Sequence, residues 1–243
     1  MKIVDAFWER RNLGVDAVSF YVGAEDALEE IMDAVGNCDK EYQTAIVDPV
    51  RTDVLLRLQN IGFRFIECAI SLSASIETVG VPDYLKRFQN QLGYRPASDE
   101  EVERIKKSVG SGEIFKTDKI SLDPSFGPKK AGIRYSFWID DLRKSGNTVF
   151  VITYKEEIIA FEIAGISEGN VEYHLGGMLP SKAGRMLGAA ISLPGTLYWK
   201  EKGAKRISTV VSSNNLPILK IHESFGLKIV GCKYVLIKHT NQS

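Results

Sequence analysis

Between Pro180 and Gly188 the run Ser181-Lys182-Ala183-Gly184-Arg185-Met186-Leu187 separates a strand pattern from a helix pattern. Backbone amides in such a turn converge beside the partly positive end of the helix that follows, a setting that binds pyrophosphate. Lys182 and Arg185 add charge nearby. An ordinary strand-to-helix turn also needs glycine for its dihedrals, so the segment alone leaves both readings open. Farther along, Asn215 is placed to cap a helix whose first turn tolerates Pro217. At 100° per residue His222 falls between Ile218 and Leu219, near Phe225, and so points inward. It reads as a core histidine bonded to a carbonyl, although imidazole, with a reference pKa of about 6.5, holds a proton at neutral pH where its surroundings favour it.

The strand pattern before the turn, Val171 to Leu179, holds more. Glu172 and His174 alternate onto one face and Tyr173 onto the other. Either of the two could act as a base, directly or through water, or be simply a surface carboxylate and a packed histidine. Gly176 and Gly177, followed by Met178, mark a bulge or a close backbone approach. Arg134, Tyr135 and Trp138 share one helix, the first and last a turn apart. They could receive a base or a phosphate, or anchor that helix on a sheet.

The elements that must position these groups are legible as alternating signals. Strand, helix, strand, helix and strand are predicted over Val15–Val22, Ala24–Val35, Tyr42–Val47, Thr52–Ile61 and Arg64–Leu72. Residues 82–110 read as helical and connecting, with Ser98 and Glu101 forming a capping box. Lys119–Leu122 is followed by a helix over Pro128–Lys144. Two strands, Thr148–Tyr154 and Ile158–Gly165, are joined by a hairpin turn at Lys155-Glu156-Glu157. The remainder reads helix, strand Arg206–Ser212, helix, strand Lys228–Lys238, with Pro194 expected to kink or end the first of these helices. Leu55 to Phe63 is loosely echoed by Ile218 to Leu227, a degenerate helix-glycine-strand repeat. An α/β fold results, divided into an amino-terminal unit over 1–100 and a second domain over 101–243.

Composition narrows the classes. The chain has 243 residues, 44% of them apolar, enough for a substantial core. Lysine plus arginine and aspartate plus glutamate number 31 each, so no global field draws it to nucleic acid or an anionic membrane. Three cysteines, Cys38, Cys68 and Cys232, lack the spacing of a disulfide framework or a zinc site, and no metal is expected. No apolar run approaches the roughly 20 residues of a membrane span, and the amino terminus carries Asp5, Glu9, Arg10 and Arg11. A soluble cytoplasmic protein is the expectation.

Order and spacing from Pro180 onward resemble the GNAT acyltransferases. Their phosphate turn follows the pattern Arg or Gln, two residues, Gly, one residue, Gly or Ala. Here Ala183 stands at the first position, Met186 at the first glycine and Gly188 at the second, with Gly184 and Leu187 at neighbouring positions. The following helix in that family reads Asn, two residues, Ala, three residues, Tyr, three residues, Gly-Phe, and these become Asn215, Ile218, His222 and Gly226-Leu227. The resemblance implies a GNAT fold and acetyl-CoA as co-substrate. The pyrophosphate would sit over Ala183, Gly184, Arg185, Met186, Leu187 and Gly188, and the pantetheine against Gly176, Gly177, Met178, Asn215 and Ile218. His222 would take the place of the tyrosine that protonates the departing thiolate, with His174 and Glu172 as bases. Beyond that core, Asp118 to Phe126, Arg134-Tyr135 and Trp138-Ile139 resemble TDP-fucosamine acetyltransferases and their relatives. That branch implies direct transfer to the amine of a nucleotide-linked deoxy sugar, held by Arg134, Tyr135 and Trp138, with a homodimer left open. A peptide or polyamine acceptor, or a catalytically silent acyl-CoA-binding scaffold, are the other readings.

Overall fold

In the computed structural model, which describes residues 1–181 and 187–240, the period-two runs become the strands of one mixed sheet. The strands are β1 (Lys2–Asp5), β2 (Ala17–Val22), β3 (Tyr42–Val47), β4 (Arg64–Ser75), β5 (Leu92–Pro96), β6 (Thr148–Tyr154), β7 (Glu157–Ser167), β8 (Asn170–Met178), β9 (Arg206–Ser212) and β10 (Lys228–His239). Their order is β1-β2-β3-β10-β4-β9-β8-β7-β6-β5. The helices are α1 (Trp8–Leu13), α2 (Leu28–Gly36), α3 (Thr52–Asn60), α4 (Asp83–Lys86), α5 (Asp99–Val109), α6 (Lys119–Leu122), α7 (Gly127–Lys144), α8 (Ser192–Glu201) and α9 (Leu216–Ser224).

The pairing carries a pseudo-two-fold. β2 and β3 are parallel neighbours, as are β8 and β9. Each parallel pair is followed by a helix and a last strand, and these last strands are exchanged: β4 pairs with β9, while β10 pairs with β3. β4 and β10 meet antiparallel at the centre of the sheet. The echo between Leu55–Phe63 and Ile218–Leu227 falls on equivalent corners, where Gly62 (φ 96°) and Gly226 (φ 95°) both turn left-handed out of a helix. At Gly226 a Cβ would also lie 2.9 Å from the Thr78 carbonyl, so glycine is needed twice over.

Three apolar clusters hold the layers together. Ile152, Val171, Leu193, Trp199, Ile207 and Phe225 pack α8 and α9 on one face of the sheet, hereafter the α8 face. Ile105, Ile139, Val151, Phe161, Ile163 and Leu175 pack α5 and α7 on the other, the α7 face. Phe20, Ile31, Ala45, Leu58 and Leu236 join α2 and α3 to the amino-terminal strands. Each such large side chain contributes about 1.5–3 kcal/mol on burial, which makes these contacts the dominant favourable term.

Local chemistry accounts for the details. Ser98 Oγ accepts from the Glu101 amide at 3.3 Å while the Ser98 amide donates to Glu101 Oε2 at 2.8 Å, so the capping box forms as predicted. The hairpin turn is tighter than expected: Tyr154 pairs with Glu157, and Lys155 (φ 50°) and Glu156 (φ 67°) alone make the turn. A 3₁₀ turn over Gly188–Ile191 precedes α8, and Pro194 sits in the first turn of α8, where a missing N–H leaves no bond unmade.

The region read as wholly helical and connecting, 82–110, contains edge strand β5 instead. Tyr94 stacks on Phe150 at 4.5 Å, and Pro96 closes a strand whose outer edge needs no donor. β1 and α1 had no sequence assignment; they add an edge strand and a helix that packs on α7.

Candidate functional site

The sheet opens between β8 and β9. β8 and β9 pair from Asn170↔Arg206 to Tyr173↔Thr209 and no farther. Beyond that point β8 continues along β7 to Met178, and β9 along β4 to Ser212. The cause is a bulge: Ile163 pairs with Leu175 and Ala164 with Tyr173, so His174 is an extra residue in β8. The result is a wedge with His174–Met178 on one side and Val210–Ser212 on the other. Backbone groups along its edges face no neighbouring strand, and interior backbone of this kind needs a partner. An extended chain bearing amides fits such an edge as an added strand.

The bulge lies at His174, earlier than the glycines where the sequence placed a bulge or close approach. Gly177 takes the second role. A Cβ there would lie 2.7 Å from Ile114 Cγ2 and 3.3 Å from Phe161 Cε1, so its bareness admits the segment 113–118 against β8. That segment closes the wedge on the α7 face. Thr117 carbonyl accepts from Ser212 Oγ at 2.8 Å, and Phe115 packs on Tyr135 with ring centroids 4.4 Å apart. Gly176 is exposed and Met178 packs in part on the α8-face cluster.

The three α7 residues divide their roles. Tyr135 is buried against Phe115, Trp138 lies 5.8 Å from Tyr135, and Arg134 Nε donates to Glu9 Oε1 at 2.8 Å. Arg134 thus ties α7 to α1. Beside it lies a cluster of buried charges. Lys119 is lowered to about 8 by burial and then by Arg134. Glu67 is raised by burial, and its Oε2 has no hydrogen-bond partner among the described residues. Asp118 caps α6 by accepting from the Ile120 amide at 2.9 Å.

On the α7 face at the narrow end of the wedge, His174 Nδ1 stands 3.7 Å from Glu172 Oε1, with side chains 19% and 62% exposed. Across the opening Val210, alternating with buried Thr209 and Val211, is 59% exposed on the same face. A solvent-borne group can therefore reach both residues. On the α8 face, Asn215 Oδ1 accepts from the Ile218 amide at 3.5 Å, a long cap, and Ile218 packs in part on the apolar cluster. His222 points inward as expected, but burial lowers it to about 4. At neutral pH it is a neutral imidazole whose donor is an N–H, not an imidazolium.

Of the phosphate-turn residues, Ala183, Gly184, Arg185 and Met186, with Lys182, lie outside the described residues. Leu187 is buried and Gly188 opens the 3₁₀ turn, where a Cβ would meet nothing within 4 Å. One partly buried group escaped sequence reasoning. Glu162 on β7, with Tyr94 and Tyr173, forms a polar cluster beneath α8. Its signal was a lone carboxylate inside the apolar run Ile158-Ile159-Ala160-Phe161-Glu162-Ile163. A wider concavity of about 440 Å³ between α5 and α7 is lined by Glu103, Lys106 and Asp140, which already pair, and lies away from the wedge. Among the described residues there is no cluster that could hold a metal ion and no helix long and apolar enough to cross a membrane.

No family model and no curated protein matches the sequence. Solved structures do match in shape. A functionally unknown conserved protein from Staphylococcus epidermidis superposes with a TM-score of 0.64 at 10% identity, over 92% of this chain and 84% of that one. A GCN5-related N-acetyltransferase from Kribbella flavida gives 0.55 at 17% identity, over 92% and 81%. The fold is that of the GCN5-related N-acetyltransferases. A tandem GNAT protein from the clavulanic acid biosynthesis pathway gives 0.50 at 11% identity, over 88% and 69%.

Proposed function

We propose that the chain is an acyl-CoA-dependent N-acyltransferase whose thioester lies in the wedge between β8 and β9. The observation that carries this reading is the abrupt end of parallel pairing at the His174 bulge, which leaves two inner strand edges free on a fold shared with acetyltransferases. In this reading the amides of the pantetheine arm pair with the β8 edge from His174 to Met178. A backbone amide near Gly176 faces the thioester oxygen and stabilises the charge that develops there. The amine arrives from the α7 face and loses its proton to His174 or Glu172, directly or through water. On the α8 face the N–H of neutral His222 is offered to the departing thiolate. Leu187 and Gly188 belong to the turn that meets the pyrophosphate at the entry to α8.

For the acceptor we propose the amino group of a nucleotide-linked deoxy sugar, as the pattern Asp118 to Phe126 with Arg134-Tyr135 suggests. A thermal-shift titration with acetyl-CoA tests the donor, since a ligand of the folded state raises the apparent Tm by mass action. Absence of a shift at millimolar acetyl-CoA refutes the donor. Thiol release measured across TDP-amino sugars, polyamines and peptides then tests the acceptor, and turnover confined to the last two refutes the sugar.

A further inference from the structure

Beneath α8 the sheet carries a carboxyl group for which the transfer step above has no use. Glu162 stands on β7 opposite Gly176, one strand from the wedge. Tyr94 donates its hydroxyl to Glu162 Oε1 at 2.5 Å from edge strand β5. α8 makes room for the group with a glycine in its interior: a Cβ on Gly195 would lie 2.8 Å from Glu162 Oε1, 3.2 Å from Oε2 and 3.3 Å from the Tyr173 hydroxyl. Glycine there weakens a helix, so the space is held open against local preference.

That space continues as a cavity of about 20 Å³ lined by Glu162, Tyr173, Ser192, Thr196 and His222 together with three apolar side chains of the core. The Tyr173 hydroxyl is buried and has no hydrogen-bond partner among the described residues. Buried polar groups without partners are costly, and a cavity above roughly 10–15 Å³ with two or more polar neighbours accommodates one water. Here the Tyr173 hydroxyl, the Glu162 carboxyl and the His222 imidazole border the same small volume.

We propose that this cavity holds one water joining Glu162, Tyr173 and His222, and that Glu162, as a carboxylic acid, restores the proton His222 gives to the thiolate. The relay half rests on the acyltransferase reading; the hydrated acid does not. In the step, the His222 N–H bond breaks as the S–H bond forms. The other ring nitrogen takes a proton from the water, and the water takes one from Glu162. A carboxylic acid and a thiolate thus become a carboxylate and a thiol, and Glu162 regains its proton from solvent between turnovers. Among the described residues the titratable neighbours of Glu162 are Tyr94, Tyr173 and His222, and α8 borders the cavity with Ser192 and Thr196. Burial raises Glu162 to about 8 against the opposing hydrogen bond from Tyr94, which agrees with a protonated acid at neutral pH.

The test pairs Glu162→Gln with Tyr173→Phe in the full chain. Infrared spectroscopy at pH 7 should show a protonated-carboxyl band that moves in D2O and is missing from Glu162→Gln. Its absence from the unaltered protein overturns the proposal. With acetyl-CoA and an amine acceptor, Glu162→Gln should lower kcat by about 10²-fold, leave KM for acetyl-CoA unchanged and abolish an alkaline limb near pH 8. Tyr173→Phe should slow turnover, because it removes one of the groups that hold the water, and an unchanged kcat overturns the water's part in the relay. A Glu162→Gln protein that keeps both kcat and the alkaline limb overturns the relay. An unaltered protein that shows the band but transfers no acyl group refutes the acyltransferase reading and the relay with it, and supports the hydrated acid alone.

Discussion

His222 and Glu162 face one cavity, and burial, the first cause of both shifts, favours the neutral form of each. A buried imidazole lowered to about 4 contributes stability that is fully present above its unfolded value of 6.5 and is lost as pH falls through 4. A buried carboxyl raised to about 8 contributes stability that is present below 4.5 and is lost as pH rises through 8. Glutamine in place of Glu162 carries no such dependence. Its unfolding free energy, measured in urea, should therefore gain on the unaltered protein by up to about 1.4 kcal/mol per pH unit between pH 5 and 8. A constant difference across that range would show that the carboxyl is ionised in the fold. His222→Phe should keep the apolar packing and remove the N–H, lowering kcat by about 10–10²-fold while KM for acetyl-CoA holds. An unchanged kcat takes His222 out of the chemistry.

At the scale of the elements, the wedge depends on what lies against β8. Gly177→Val places a branched side chain where Ile114 Cγ2 would be 2.7 Å from its Cβ, so segment 113–118 must move. The expected cost is about 1–3 kcal/mol in unfolding free energy, with weaker acetyl-CoA binding by calorimetry. Binding at full strength would mean that the segment does not border the donor.

The elements also show which parts of the site the sequence can carry. Thr148–Tyr154, a continuous apolar run, and Arg206–Ser212, which alternates, were both read with their ends. β5 was missed because Gly93 and Pro96 dilute a five-residue pattern that only stacking on Phe150 rescues. The bulge is a mismatch of register between two strands, and no single residue encodes it. His174 was singled out for its chemistry, not its geometry. Arg134 carried a binding signal, yet its partner Glu9 lies 125 positions away, a distance over which local patterns say nothing.

For the whole molecule, the two parallel pairs related by the pseudo-two-fold are unequal. β2 and β3 stay paired from Ala17↔Tyr42 through Val22↔Val47, the full length of both strands. β8 and β9 part at Tyr173↔Thr209. An acyl-CoA arm therefore has an open edge in one half only, and calorimetry with acetyl-CoA should give a stoichiometry of one per chain. Two equivalent sites would require the β2–β3 ladder to open as well. The exchanged strands make the same point about cohesion: neither half completes its part of the sheet without a strand from the other.

The order in which the chain is made turns that exchange into a timetable. β10, the last strand, occupies the middle of the sheet, with β3 on one flank and β4 on the other. While it is still inside the ribosomal tunnel, both flanking strands present bare edges, the condition that invites pairing with the wrong chain. The sheet cannot close until β10 has emerged, and a nascent chain stalled before Lys228 should be bound by chaperones and cut by protease where the finished protein resists.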